Sequence, residues 1–203
     1  MVKLTKNELR DQQYRLKQLE KYLPTLQLKK AMLQTEVNNA IIEIEKLSVL
    51  YKQQKAGCET FQSLLTDPEA FTLFEGTQVI EVEKRFENIA GAEIPFFEGV
   101  IFETIDYSLF DTPLWVDSGM EKLRELVIAK AKISVVEEKK KILEKELREV
   151  SIRVNLFEKI LIPRTQGNIK KIRVFLGDQE LSSVAQAKVA KAKILKKKKE
   201  SVA

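Results

Sequence analysis

Histidine is absent from this chain of 203 residues. The commonest general base, proton shuttle and metal ligand at neutral pH is therefore missing, and metal centres built from Cys and His are excluded. Cysteine occurs once, at Cys58, so no internal disulfide can form and a reducing compartment is expected. Seven glycines and five prolines are few punctuators, and 32% of residues are charged. That is the balance of a protein of long helices and not of a loop-rich enzyme. No eighteen-residue apolar run free of charge exists, so no segment is expected to span a membrane. The start of the chain carries Lys3, Lys6, Glu8 and Arg10 without an apolar run, so no signal peptide is expected. There is no Gly-x-x-x-x-Gly-Lys-Ser/Thr run and hence no phosphate loop of that kind. No catalytic, metal-binding or cofactor-binding residue is assigned. The carboxylates Glu81, Glu83, Glu87, Glu93, Glu98, Glu103 and Asp106 alternate with core-type residues, as a solvated strand face does, and do not read as a positioned acid–base pair. Lys55 near Cys58 would lower the thiol pKa, but a lone cysteine beside a helix end reads first as a small residue.

What is present is a heptad seam. Counting in sevens, one row reads Leu9, Leu16, Leu23, Lys30, Val37, Ile44, Tyr51 and the next Gln12, Leu19, Leu26, Leu33, Ala40, Leu47, Gln54. A seam held this long asks for a partner helix. Thr5 and Glu8 have capping-box spacing for its start, and Lys52, Lys55 and Gly57 mark its end. Pro24 falls inside, and the seam passes it in the same register, so a kink is expected there and not an end. Ser118 and Glu121 form a second capping box, followed by a second seam: Leu126, Ala129, Ile133, Val136, Lys140, Leu143, Leu147, Val150, Val154, Phe157, Leu161. The mixed charges from Glu137 to Lys141 and from Glu144 to Glu149 fill what reads as its solvated faces. Pro163 interrupts without an obvious end, and an apolar stripe of Ile169, Ile172, Val174, Phe175 and Leu176 follows.

Between the seams the period changes. Thr66, Asp67, Pro68 and Glu69 start a short helix with Phe71, Leu73 and Phe74 on its apolar face. Two alternating runs follow, Gln78 to Phe86 and Ile94 towards Tyr107, joined by Ala90-Gly91-Ala92-Glu93; this reads as a β-hairpin. Its first strand sets Ile80, Val82 and Phe86 against Glu81, Glu83 and Arg85. Asp111, Thr112, Pro113 and Leu114 close the module. Eight of the ten phenylalanines lie between Phe61 and Phe110, so they are expected to form its core.

The expected fold is therefore mostly α: a long antiparallel coiled-coil hairpin of N- and C-terminal helices with a small mixed module at the turn. Residues 1–57 form the first helix, 58–117 the module with its β-hairpin, and 118–203 the second helix and a basic tail. Two seams in one chain separated this way pair antiparallel. Setting Ala56 opposite Ser118 puts Leu4 near Lys170 and leaves about thirty residues protruding, at 1.5 Å each if helical.

Charge is divided into blocks. Residues 1–60 hold 11 basic and 7 acidic side chains, 61–117 hold 2 and 12, and 118–203 hold 22 and 11. Arms and middle can thus face partners of different sign, or simply solvate exposed helices. Seven of the twelve residues from Lys188 to Lys199 are lysine, a charge suited to nucleic acid, but past Phe175 there is no aromatic to stack on bases. A solvated tail, or one meeting an acidic protein lining, fits equally well. On these features alone a coiled-coil scaffold or tether and a nucleic-acid-binding helical hairpin stay open.

One family brings these features together. Leu4-Thr5-Lys6-Asn7-Glu8-Leu9-Arg10 and Leu23-Pro24-Thr25-Leu26-Gln27-Leu28-Lys29-Lys30 resemble the D subunit of the V-type and A-type rotary ATPases. So do Asn155, Glu158, Ile162-Pro163-Arg164, Asn168-Ile169, Ile172 and Leu176 in the second arm. The chain departs from the family after Leu176, where a run rich in Glu and Arg is replaced by Gly177-Asp178-Gln179-Glu180-Leu181-Ser182-Ser183. The resemblance implies a non-catalytic central-stalk rotor shaft, with Leu23, Pro24, Leu28, Lys29, Asn155, Ile162, Pro163 and Arg164 as shared shaft residues. It also implies a place on the cytoplasmic side, peripheral to the membrane. The implied partners are the catalytic A and regulatory B subunits, the small F subunit of the rotor and a socket subunit on the membrane ring, with no nucleic acid.

Overall fold

The computed structural model describes residues 2–59, 62–66, 70–106, 112, 113 and 115–200, with the side chains of 70–72 and 196–200 excepted. The order is α1 (Lys6–Glu59), a 3-10 turn (Gln62–Thr66), α2 (Ala70–Glu75), β1 (Val79–Ile89), β2 (Ala92–Phe102), α3 (Trp115–Leu156), a π-turn (Phe157–Leu161) and α4 (Ile162–Glu200). The mostly helical class with one small hairpin between long helices is as expected. Asp67, Pro68, Glu69, Tyr107, Asp111 and Leu114 lie outside the described residues. The chain divides into two compact units, Met1–Leu28 with Ser151–Ala203, and Lys29–Val150.

In the first unit α1 begins where its cap predicts. The Glu8 amide donates to Thr5 Oγ1 at 3.3 Å and the Leu9 amide to the Thr5 carbonyl at 3.0 Å. The helix continues through Pro24. Gln12, a polar seam residue, is buried, and its amide donates to Glu8 Oε1 at 2.9 Å. On the opposing strand of the pair, Val154, Thr165, Ile169 and Ile172 are buried. The helix widens just ahead of Pro163: the Ile162 amide donates to the Phe157 carbonyl, five residues back. A proline ring presses on the carbonyl four residues before it, here that of Lys159 inside the wide turn, and opening the helix there relieves the clash. The extra residue has a visible effect. Continued in phase from Leu161, the seam would bury Arg164, Asn168 and Lys171; instead Thr165, Ile169 and Ile172 are buried, each one place later. The Thr165 hydroxyl is satisfied by the Leu161 carbonyl at 2.7 Å.

In the second unit Leu33, Val37 and Ala40 of α1 and Val136, Leu143 and Val150 of α3 are buried, all seam positions. The helices run antiparallel, with Lys139 Nζ on Glu43 at 3.3 Å and Cys58 Sγ donating to the Lys122 carbonyl at 3.9 Å. Both ends differ from expectation. α1 passes through Gly57, and α3 starts at Trp115, which puts Ser118 inside the helix. The first turns of α3 are used elsewhere. Val116 and Met120 form a core with Leu73 of α2, flanked by Leu65, Trp115 and Leu123. Pairing with α1 is therefore under way only at Lys122, and the register slides relative to an Ala56–Ser118 match. In the first unit Lys6 accordingly meets Glu180 at 3.4 Å, not the neighbourhood of Lys170, and less of α4 lies beyond the N-terminus than expected. Gly119 lets α2 approach: a Cβ there would lie 2.8 Å from Leu73 Cδ1.

The hairpin turns through Ala90 and Gly91 alone, both at positive φ, with the Gly91 amide donating to Asn88 Oδ1 at 2.9 Å. This is a two-residue turn whose twist suits the strands. Pairing runs from Ile89↔Ala92 to Val79↔Phe102, with an extra residue at Glu98 on β2 and another at Ile80 on β1. Each such bulge breaks the two-residue alternation. The expected faces are not kept: Ile80, at the β1 bulge, is 65% exposed, and in the regular stretch Phe86 is 61% exposed while its neighbours across the pair, Ile94 and Pro95, are fully buried. Phe61, Phe110 and the side chain of Phe71 lie outside the described residues; of the other module phenylalanines none is fully buried, and Phe74 is exposed like Phe86. Phe96, Phe97 and Phe102 lie under cations of α3, with Lys139, Lys132 and Arg124 at 4.5, 5.4 and 5.2 Å from the ring centres.

Candidate functional site

The candidate site lies in the first unit, where the π-turn of one helix faces the stretch before Pro24 on the other. Leu19 on α1 and Phe157 and Leu161 in the π-turn line a groove of about 540 Å³. All three are half-buried seam residues, so widening of the helix leaves part of the seam open to an outside group. Arg15 and Arg164 line the same groove, and both are exposed. They are its only charged lining residues, and neither is ion-paired among the described residues. Gln18, Tyr22 and Asn168 add polar groups. The groove is thus cationic at its edge and apolar at its base.

A second groove, of about 480 Å³, borders Leu16, Ile169 and Val174 with Lys17, Lys170 and Arg173, and here a carboxylate, Glu20, joins the lining. The two grooves use adjacent faces of the same helices; both sum to a formal +2, the first from two arginines alone and the second from three cations less Glu20.

The residues singled out by sequence are distributed as follows. Leu23 is half-buried in the seam and Pro24 is exposed. Leu28 is 62% exposed. Lys29 belongs to the second unit, where its Nζ lies 3.4 Å from the point a Cβ on Gly91 would occupy, so it sits beside the hairpin tip. Asn155 and Pro163 are exposed, Ile162 is half-buried, and only Arg164 lines the groove. Sequence reasoning missed Arg15. Its signal was available once α1 and α4 are paired, because a seam at Gln12 and Leu19 puts Arg15 on the flank.

In the second unit the notable group is Lys139, 6% exposed, between Glu43 and the Phe96 ring. In the stretch Glu137–Lys141, read as a solvated face, Glu137, Glu138 and Lys141 are exposed as expected and Lys139 alone is buried; Lys84 adds a 2.6 Å ion pair to Glu138. Arg124 ties the module together, donating to the Gly76 carbonyl at 2.8 Å. Burial pushes the Cys58 thiol above its ordinary value; Lys122 opposes this and Glu125 adds to it. The expected lowering by Lys55 is not found. Apolar side chains remain exposed along α1, at Met32, Ile42, Val49 and Leu50, and on the hairpin at Val79, Ile80 and Phe86. No cluster of acidic or cysteine ligands suited to a metal, and no helix long and apolar enough to cross a membrane, occurs among the described residues.

A family model for the D subunit of ATP synthase matches residues 8–192. The D subunit of the V-type ATP synthase of Chlamydia abortus is 46% identical over 201 residues, which cover 98% of this chain and 97% of that protein. That of Chlamydia caviae is 47% identical over the same length, with the same coverage. That of Chlamydia pneumoniae is 45% identical over 194 residues, covering 95% of this chain and 93% of its own length.

Proposed function

This chain belongs to the D-subunit family of ATP synthases, and from that premise we propose that it is the central rotor shaft of a V/A-type ATPase. It transmits rotation between the catalytic ring, where ATP is made or hydrolysed, and the ion-translocating membrane ring. The chain itself catalyses nothing. It stands on the cytoplasmic side, peripheral to the membrane. Its partners are the catalytic A and regulatory B subunits, the small F subunit of the rotor and a socket subunit that joins it to the membrane ring. Leu23, Pro24, Leu28, Lys29, Asn155, Ile162, Pro163 and Arg164 are proposed as shaft residues that these partners require.

The observation that carries this is a pair of helices whose seams close on each other while large apolar side chains stay in water. Seam burial within each unit removes the need for a second copy. The exposed Met32, Ile42, Val49, Ile80 and Phe86 call for cover by other subunits. The unlike grooves of the first unit supply the mechanics. A shaft acts on otherwise equivalent ring sites only through contacts that differ with angle, and two grooves lined by different groups, arginines alone in one and lysines, an arginine and Glu20 in the other, provide such a difference.

The test is co-expression with the ring, small rotor and socket subunits, followed by affinity capture through this chain and observation of a bead fixed to it. Capture of the ring and bead rotation on adding ATP are expected. A chain that is recovered folded but without the ring overturns the proposal.

A further inference from the structure

We infer that Lys139 is the positioning residue that fixes the β-hairpin to the paired helices at one angle, so that hairpin and helices turn as one body; the turning rests on the shaft function proposed above. A two-stranded hairpin is at best marginally stable alone and takes its position from what it packs on. Here it is held at three levels. At the root, Arg124 of α3 donates to the Gly76 carbonyl at 2.8 Å, ahead of β1, and to the Glu103 carbonyl at 3.5 Å, just after β2. Along the strands, Lys132 and Lys139 lie over the Phe97 and Phe96 rings of β2, and Lys84 of β1 donates to Glu138 at 2.6 Å. At the tip, Lys29 of α1 lies beside Gly91. Arg124, Lys132 and Lys139 follow one another at intervals of about two helical turns, so they share one side of α3.

Lys139 differs from the other grips. Among the described residues it is the one buried side chain that carries a charge. Its ammonium meets Glu43 of α1 at 3.3 Å and lies 4.5 Å from the centre of the Phe96 ring of β2. Three elements therefore converge on one cation. A buried ammonium is stable only with its partners in place, because losing one leaves a charge away from water without compensation. Apolar contact has no preferred direction, so the buried Ile94 and Pro95 can shift along the helices and stay covered. The ammonium does not follow such a shift without giving up Phe96 or Glu43. Ring face and carboxylate together thus select one setting of the hairpin. The same group ties that setting to the pairing of α1 with α3.

The experiment starts from the full chain. Cys58→Ser removes the native thiol, and Glu93→Cys near the hairpin tip and Lys145→Cys on α3, both exposed positions, carry nitroxide labels. Pulsed electron double resonance then reads the spread of distances between hairpin and helix. One narrow distance is expected. Lys139→Met, which keeps the apolar stem and removes the charge, should broaden it, and Lys139→Arg should restore it. Amide exchange in the same variants separates positioning from stability. In Lys139→Met the β2 amides should exchange about tenfold faster, the order expected for loss of one desolvated cation–π contact, while those of Leu126 to Val150 keep their rates. In the assembled complex, a bead on Glu93→Cys should stop at angles as sharply defined as a bead on Lys145→Cys, and Lys139→Met should blur only the former. A broad distance in the parent overturns the inference, as does a Lys139→Met variant that keeps the narrow distance. So does one that speeds exchange equally in α3 and β2, which would make Lys139 a stabilising residue and nothing more. Failure of the unsubstituted chain to capture the ring or rotate overturns the shaft function and leaves the fastening, read on the full chain alone, standing.

Discussion

At the scale of single residues, Ala90 is the one described non-glycine residue at positive φ, 53°. An L-residue with a Cβ is disfavoured in this region by about 1–2 kcal/mol. The hairpin keeps it because Gly91 and the Asn88 side chain define the turn around it. Ala90→Gly should therefore stabilise the protein by about 0.5–1 kcal/mol, the strain relieved less the added freedom of glycine in the unfolded chain. A urea titration would show a higher midpoint at unchanged slope. A lower midpoint would mean that the Ala90 methyl group makes a contact that outweighs its strain. Lys139 teaches a related lesson. In sequence it belongs to a charged run and reads as solvated, yet its stem is covered and its ammonium rests between Glu43 and Phe96. Nothing local signals this, because the covering strand comes from some forty residues earlier in the chain.

At the scale of elements, seam positions separate from the rest by burial. Leu143 is fully buried, whereas Leu181 is 71% exposed. Leu143→Ala should cost about 2–5 kcal/mol and Leu181→Ala under about 0.5 kcal/mol, read as the shift in denaturant midpoint on the isolated chain. Equal losses would mean that α4 beyond Ile172 is packed as tightly as α3. The long helices were legible because their apolar period is strong. Of the fourteen positions counted in the first seam, only Gln54 is exposed, and even Gln12 and Lys30 are covered. The hairpin was legible as two strands and a turn but not in its faces: the bulges at Ile80 and Glu98 leave no mark in an alternating pattern, and the adjacent Ile94 and Pro95 are both buried by what packs around them and not by alternation. The groove was the least legible. It depends on a helix widening by one residue, and Pro163 signals a disturbance without saying whether the helix bends, ends or opens.

At the scale of the whole molecule, the chain separates into covered and uncovered parts. Every side chain described from Asp178 to Leu195 is exposed, and the charge of this end comes from lysines set among alanine, valine and isoleucine. Ending the chain after Ala187 should leave the thermal midpoint within about 2 °C of the full-length value, as expected for removal of uncovered surface. Ring capture should persist, and ATP-driven ion pumping should fall only modestly. Loss of capture on this truncation would place an assembly contact in the lysine-rich end. The π-turn leads to a different kind of consequence. A heptad repeat is a reading frame, and adding or removing one residue scrambles everything downstream by turning each side chain through about 100°. This chain already carries such a frameshift between Phe157 and Leu161, and its downstream residues are spelled in the new frame: Thr165, Ile169 and Ile172 in place of Arg164, Asn168 and Lys171. Deleting one residue inside the wide turn would therefore close it to an ordinary helix and restore a single frame from Val150 to Ile172. The same deletion at Ser151 would throw Val154 and Phe157 off the seam. The place that looks most irregular is thus where a change of length is most readily absorbed.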